Sequence, residues 1–240
     1  MATYTLKLKN KKEIAAGTMA FYFGQPEGFT FKAGQYADFT LIDPEETDSE
    51  GNVRTFSLAN APYEQDLMFA TRMRDTAFKR VIKKLESGAE ISFKGANGSF
   101  TLQNNTNIPA VFLCGGIGIT PVRSITLQAA HDKTAHRIFL FYANKTPRDA
   151  AFLEDLNKAA KENQNFTFVA SMTEMEGSDQ EWEGETSFFT KALLEKYIGD
   201  LSQPIYYISG PASMVTSIRE TLTEAGVDED NIRTEEFAGY

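Results

Sequence analysis

Two folds in series are predicted for this chain: a small antiparallel β-barrel, followed by a doubly wound α/β domain built on a parallel sheet. Three observations predict them. From residue 2 to about 100 the apolar side chains alternate with a period of two. After the polar connector Gln103–Asn107 the rhythm becomes strand, helix, strand. At the first strand-to-helix junction of that second half stands a glycine-rich turn, within VFLCGGIGITP at 111–121.

In the first half, Tyr4, Leu6 and Leu8 share one face of an opening strand, and β-rich runs recur near 18–23, 29–31, 36–42, 53–58, 67–73 and 90–94. Gly17, Gly24, Gly34, Gly51 and Gly88 punctuate them, which suits a small antiparallel barrel. One amphipathic helix interrupts the strands: AFKRVIKKLESG places Phe78, Val81, Ile82 and Leu85 on one side, with Gly88 just past its end. In the second half, strands are predicted at 108–114, 137–143, 166–171, 204–209 and 231–237, and helices near 121–131, 147–162, 187–197 and 212–225. The first of these helices reads as capped by Thr120 and opened by Pro121. The second has Thr146 as cap, Pro147 in the first helical position and Asp149 three residues after the cap. Thr173–Gly184 reads as an acidic loop.

The turn holding Gly115, Gly116 and Gly118 is the first candidate site. Glycine lets backbone approach a pyrophosphate at positive φ, and the helix start beyond it offers unpaired N–H groups and a partial positive charge. In an open α/β sheet, ligands bind beyond the carboxyl ends of the strands, where this turn lies. By itself a GGxG turn is also compatible with a tight turn alone.

Composition narrows the function classes. The 240 residues are 42% hydrophobic and 24% charged, as in an ordinary globular protein. No apolar run is long enough to span a bilayer and the start carries no apolar signal block, so a cytoplasmic location and no membrane partner are expected. One cysteine, Cys114, allows neither an intrachain disulfide nor a cysteine-ligated iron–sulfur cluster, and it reads as a small buried hydrophobe. The net charge of −9 lies in the second half: residues 1–105 carry 13 Lys and Arg against 13 Asp and Glu, whereas 106–240 carry 11 against 20. Nucleic acid is excluded as an expected partner. Arg72, Arg74, Lys79, Arg80, Lys83 and Lys84 crowd one short stretch, which reads as a solvated helix face, a docking patch for an acidic protein or a cradle for cofactor phosphates. His131 and His136 read as surface residues, and no spacing of His, Cys, Asp or Glu suggests a metal site.

The succession of motifs is more specific than any one of them. RTFS stands at 54–57, GANGSF at 95–100, GGIGITP at 115–121, YANKTPRDAAFLEDL at 142–156, SGPASM at 209–214 and EEFAGY at 235–240. In this order they resemble the ferredoxin–NADP reductase superfamily of flavoenzymes across nearly the whole chain. The resemblance implies a six-stranded antiparallel flavin-binding barrel over 1–104 and a nicotinamide-binding α/β domain over 105–240.

Residue roles follow from that resemblance. Arg54, Thr55, Phe56 and Ser57 match the family's R-x-Y-S flavin motif with one change, Phe56 for tyrosine. Arg54 is implied as a phosphate ligand, since a guanidinium is always charged and donates in pairs. Ser57 is implied beside the flavin N5 atom. Arg72, Thr76, Phe78 and Lys79 stand where the family has its second phosphate-binding turn, with Thr76 capping the helix. GANGSF is a turn between the domains, to which no chemistry is assigned. Gly115, Gly116, Gly118, Thr120 and Pro121 are implied to receive the pyrophosphate and ribose of the nicotinamide nucleotide, and Gly210 and Pro211 to turn against its ring. Ser209 replaces a cysteine that many relatives carry near the reacting carbon, and Met214 reads as core packing. Glu235 or Glu236 is implied as an acid close to the flavin, with Glu236 taken as the catalytic one, and Tyr240 as an aromatic lid on the isoalloxazine. Where NADPH-using relatives have Ser-Arg, this chain has Ser171-Met172 followed by Glu174 and Glu176, which favours NADH, although Lys145 and Arg148 pull the other way.

The resulting expectation is a monomeric flavoprotein oxidoreductase. It moves a hydride from NADH or NADPH to FAD, with FMN as the lesser choice, and then single electrons to an external acceptor such as ferredoxin or flavodoxin. The alternatives are the reductase component of an oxygenase, a reductase of free flavin or ferric chelates, and a non-catalytic flavin-binding electron-transfer subunit.

Overall fold

A computed structural model describes residues 2–237. Six strands, β1 (Thr3–Ala15), β2 (Thr18–Gly24), β3 (Tyr36–Leu41), β4 (Val53–Ser57), β5 (Asp66–Arg72) and β6 (Glu90–Asn97), form an antiparallel sheet in the order β4-β3-β6-β1-β2-β5. Between β5 and β6 lies helix α1 (Ala77–Lys84). β1 serves two neighbours: Thr3–Lys7 pair with β6, and from Leu8 onward the strand pairs with β2, with irregularities at Leu8/Asn10 and Glu13/Ala15 that bend it. That bend curls the sheet until its two edge strands meet. There the Phe56 ring of β4 lies flat on Phe69 of β5, with centroids 4.2 Å apart. Phe21, Phe23, Phe39, Phe69 and Phe93 fill the interior with no exposed surface. α1 closes one end through Phe78, Val81 and Ile82, and Thr76 caps it by accepting from the Lys79 amide at 3.4 Å, as its sequence predicts.

The second half comprises β7 (Ala110–Gly115), α2 (Ile119–His131), β8 (Ile138–Asn144), α3 (Leu153–Glu162), β9 (Phe166–Met172), α4 (Lys191–Ile198), β10 (Ile205–Pro211), α5 (Ala212–Glu224) and β11 (Ile232–Phe237). The five strands are parallel and ordered β11-β10-β7-β8-β9. Alternation along the strands builds a core on each face. Phe112, Cys114, Leu140 and Tyr142 pack under α2 and α3, while Val111, Leu113, Phe141 and Ile208 pack under α4 and α5. The chain order reverses between β7 and β10, and the two glycine turns lie side by side at the carboxyl ends of these strands.

Several expectations are corrected. Residues 29–31 form no strand, because they find no ladder partner; Phe29 and Phe31 instead stack at 5.9 Å against the barrel, with Phe29 edge-on to Phe93. Thr120 is not a cap: a 3-10 turn over Gly116–Gly118 runs straight into α2, and the Thr120 hydroxyl donates back to the Ile117 carbonyl at 3.0 Å. The Asp149 carboxylate does accept from the Thr146 amide and hydroxyl, at 3.1 and 2.7 Å. That box closes one 3-10 turn only, since Phe152 takes φ +61° and α3 starts afresh after it. The helix expected from 187 begins at Lys191 behind the Thr190 cap. His136 is buried, its Nε2 2.8 Å from the Gln103 carbonyl, because Gln103 is pinned under the sheet by Tyr207. His131 is exposed, with its ring on Tyr63.

One buried charge joins the halves. Arg123 lies on α2, which is buried almost throughout, and its side chain is only 7% exposed. It donates to the Ala59 carbonyl at 2.9 Å and to both Glu64 oxygens at 2.8 and 3.1 Å, all from the barrel half. It also reaches Asp155 on α3 at 2.7 Å, and Phe152 covers it at 4.9 Å. Beside it the Ser124 hydroxyl donates to the Asn60 carbonyl at 2.7 Å. Removing the cation leaves two carboxylates without their partner, so Arg123→Met is expected to cost about 3 kcal/mol in urea unfolding; no loss of stability would refute the clamp.

Candidate functional site

The strand that carries RTFS and the turn that carries GGIG converge on one cavity of about 790 Å³. Its barrel wall is formed by Tyr36, Arg54, Thr55, Phe56 and Ser57, with Arg72, Arg74, Thr76 and Lys79 at one end. The opposite wall comes from Ile117 and Thr120 of the glycine turn and from Glu235, Glu236 and Phe237 at the end of β11. Topology explains the meeting. β4 is an edge strand of the first sheet, while β7 and β11 end at the carboxyl edge of the second. The volume lies within the range of cofactor clefts.

At the centre, the Ser57 hydroxyl donates to Glu235 Oε1 at 3.1 Å, joining residues 178 positions apart in sequence. Ser57 is buried, and burial raises the Glu235 carboxyl to about 7, partly opposed by the Ser57 hydrogen bond. Of the two candidate acids, Glu235 therefore makes the contact. Glu236 lines the same cavity but is exposed.

Other expected residues hold different posts. Arg54 lines the cavity, yet its guanidinium is turned into the loop before it, onto Asp48 and Glu50. Thr55 donates to Asp38 at 2.5 Å. Phe56 closes the barrel on Phe69, which covers one face of its ring. Phe78 is buried in the barrel core beneath the Arg54 guanidinium and lines no part of the cavity. Lys79 donates to the Arg72 carbonyl at 2.7 Å, and burial with Arg74 and Arg54 nearby lowers its pKa. Arg72 faces Asp149 across the halves at 3.9 Å.

Ser209 is fully buried and does not reach the cavity; its hydroxyl donates to the Gly118 carbonyl at 2.7 Å. Gly115, Gly116, Gly118, Pro121, Gly210 and Pro211 likewise stay outside the cavity lining. The glycines serve the junction of the two turns. A Cβ on Gly118 would fall 2.3 Å from the Ser209 carbonyl oxygen, and one on Gly115 or Gly210 would strike Met214 at 2.5 Å. Met214 thus packs as expected. Tyr240 lies outside the described residues. Arg123, Asp48 and Glu64 are not singled out by sequence reasoning. For Arg123 a signal exists, since a guanidinium among Ile119, Val122, Ile125 and Leu127 of one helix requires partners.

The cavity fits a flavin by its donor set: a hydroxyl–carboxyl pair at its centre, an aromatic wall on one side, and basic groups with a helix start at one end. No group of three or more His, Cys, Asp or Glu able to hold a metal occurs among the described residues. No helix among them is long and apolar enough to cross a membrane. Because the Glu235 pKa is higher folded than unfolded, its contribution to stability is full below about pH 4.5 and is lost as pH rises through about 7. Melting curves from pH 5 to 8 are expected to show the wild type losing stability relative to Glu235→Gln; parallel curves would contradict the burial.

Comparison with known proteins agrees with this geometry. Residues 112–220 match the family model for the oxidoreductase NAD-binding domain. One subunit of the Na(+)-translocating NADH-quinone reductase of Idiomarina loihiensis is 28% identical over 221 residues, covering 86% of this chain and 54% of that protein. The chain thus spans about half the length of the curated relatives it matches. Among solved structures, the FAD/NAD-binding domain of nitric oxide dioxygenase from Vibrio cholerae superposes with a TM-score of 0.82 at 18% identity, covering 97% of this chain and 98% of that one. The ferredoxin NADP+ reductase of Neisseria gonorrhoeae, with bound FAD and NADP, gives 0.78 at 21% identity and 98% coverage of each. In its sheet order and its two glycine turns at the switch point the chain shares the fold of these two solved structures, and its similarity to the oxidoreductase NAD-binding domain covers residues 112–220.

Proposed function

We propose that the chain is an NADH-dependent flavoprotein reductase, with residues 1–104 as the flavin-binding domain and 105–240 as the nicotinamide-binding domain, that delivers single electrons to an external acceptor. The observation that carries this reading is the meeting of RTFS and GGIG on one cavity, joined by the Ser57–Glu235 hydrogen bond. A bound FAD would accept a hydride from the nicotinamide and release electrons one at a time. The chain's part is geometry and proton placement.

On this reading the Ser57 hydroxyl would bond to the flavin N5, and Glu235, poised near neutrality, would hold or yield the accompanying proton through it. Thr120 lines the same cavity from the glycine turn and on this reading would meet the nicotinamide ribose or carboxamide. Ser209 acts as a positioning residue: by fastening β10 to the Gly118 carbonyl it fixes where the nicotinamide would enter. Arg54, Arg72, Arg74 and Lys79 line the end of the cavity that would take a flavin phosphate.

Preference for NADH rests on the end of β9. The Ser171 hydroxyl is buried and donates to the Ser187 carbonyl at 2.5 Å, which removes it as a partner for a 2′-phosphate. Glu174 pairs with Lys145 at 3.0 Å and offsets its charge. For the acceptor, a ferredoxin or flavodoxin suits one-electron chemistry. Charge adds little to that choice, since Arg72, Arg80 and Lys84 of the basic stretch are already held by Asp149, Glu46 and Glu45.

Stopped-flow mixing of the FAD-loaded protein with NADH under anaerobic conditions is expected to bleach the flavin, faster than NADPH does. Ser57→Ala should slow that bleaching by about 10²-fold. Failure of both nucleotides to reduce the flavin would overturn the reading.

A further inference from the structure

At the end of the cavity lined by Glu50, Arg54, Thr76 and Lys79, the Arg54 guanidinium and the start of α1 are held by the chain's own carboxylates. Arg54 is only 16% exposed, and its Nη1 donates to the carbonyls of Glu50, Gly51 and Val53 at 3.1, 3.0 and 2.8 Å. Its Nη2 contacts Asp48 Oδ1 at 3.1 Å and Glu50 Oε2 at 2.8 Å. The other oxygen of Asp48 accepts from the amide of Ala77, the first residue of α1, at 3.0 Å. Asp48 thus makes both contacts that a phosphate oxygen would make here, one to a guanidinium and one to a helix N-terminal N–H. The same loop continues the cover: Glu46 lies on Arg80 at 2.7 Å, and Glu45 pairs with Lys84. The Ala77 amide and Arg54 keep the Asp48 carboxyl below the usual carboxylate range, so it is charged at neutral pH. Two anions cannot share this corner without strong repulsion.

We propose that Asp48 is an internal stand-in for the flavin phosphate, and that the 43–52 loop must release Arg54 and the α1 N-terminus before a phosphorylated flavin is gripped there. Asp48 then sets the affinity for FMN and FAD without touching the isoalloxazine. Riboflavin, which carries no phosphate, enters the cavity without displacing the loop. The proposal rests on the flavin reading given above.

Fluorescence titrations of riboflavin, FMN and FAD against the wild type, Asp48→Asn and Glu50→Gln test it. Asparagine keeps a hydrogen-bond acceptor for the Ala77 amide while removing the charge. Asp48→Asn is expected to bind FMN and FAD about tenfold tighter with riboflavin unchanged, and Glu50→Gln to shift the same two ligands in the same direction by less. Unchanged or weaker binding of FMN and FAD by both variants overturns the proposal, as does an equal shift for all three flavins, the mark of a merely structural cap. If the wild type binds none of the three, the flavin reading itself falls and takes the proposal with it.

Discussion

The angle at which the two sheets meet decides whether there is a site at all, and a desolvated guanidinium holds that angle. Arg123 is buried where α2 passes beneath the barrel, bonded to a carbonyl and a carboxylate of one half and a carboxylate of the other. A buried cation is costly unless every donor finds an acceptor in good geometry, so the three elements that supply those acceptors are tightly constrained in relative position. Weaker ties add to it: the Ala16 amide to the Arg148 carbonyl at 2.8 Å, and Arg233 to the Thr101 carbonyl at 3.3 Å. The result is that Ser57 on an edge strand of the first sheet lies within hydrogen-bond distance of Glu235 at the end of the second. Neither half could form that pair alone.

Electrostatics then divides the cleft into two regions of different character. At its centre the Glu235 carboxyl is poised near neutral pH by burial and accepts from the Ser57 hydroxyl of the opposite wall. At the end lined by Arg54 and Lys79, anionic and cationic side chains of the same half largely cancel. On the proposed flavin reading the first region would suit proton exchange beside a redox ring, and the second would weaken the grip on a phosphate until the loop moves. A reductase needs the first to work, whereas the second governs how firmly the cofactor stays.

Much of this is legible in the sequence because it is written in local periodicity. Alternation marks the barrel strands, the strand–helix rhythm marks the parallel sheet, and both glycine turns fall at strand ends as expected. RTFS, Thr76, Thr120 and the terminal acids all reach the cavity. What fails to show depends on contacts distant in sequence. Phe29–Phe31 reads as a strand because aromatic residues suit extended backbone, but a strand needs a ladder partner. Ser209 reads as facing the nicotinamide by position, whereas its hydroxyl satisfies a carbonyl that only the fold brings near. Asp48 is invisible as a competitor, since nothing local reveals that a loop carboxylate will land on a helix start 29 residues away.

If one cleft between the halves holds the redox ring against Ser57 and Glu235, a crystal structure of the FAD-loaded protein will show it most directly. The isoalloxazine is predicted to lie between the RTFS strand and the Thr120 turn, with its N5 in hydrogen-bond contact with the Ser57 hydroxyl. A flavin seated elsewhere, or one in this cleft with N5 turned away from Ser57, would contradict it.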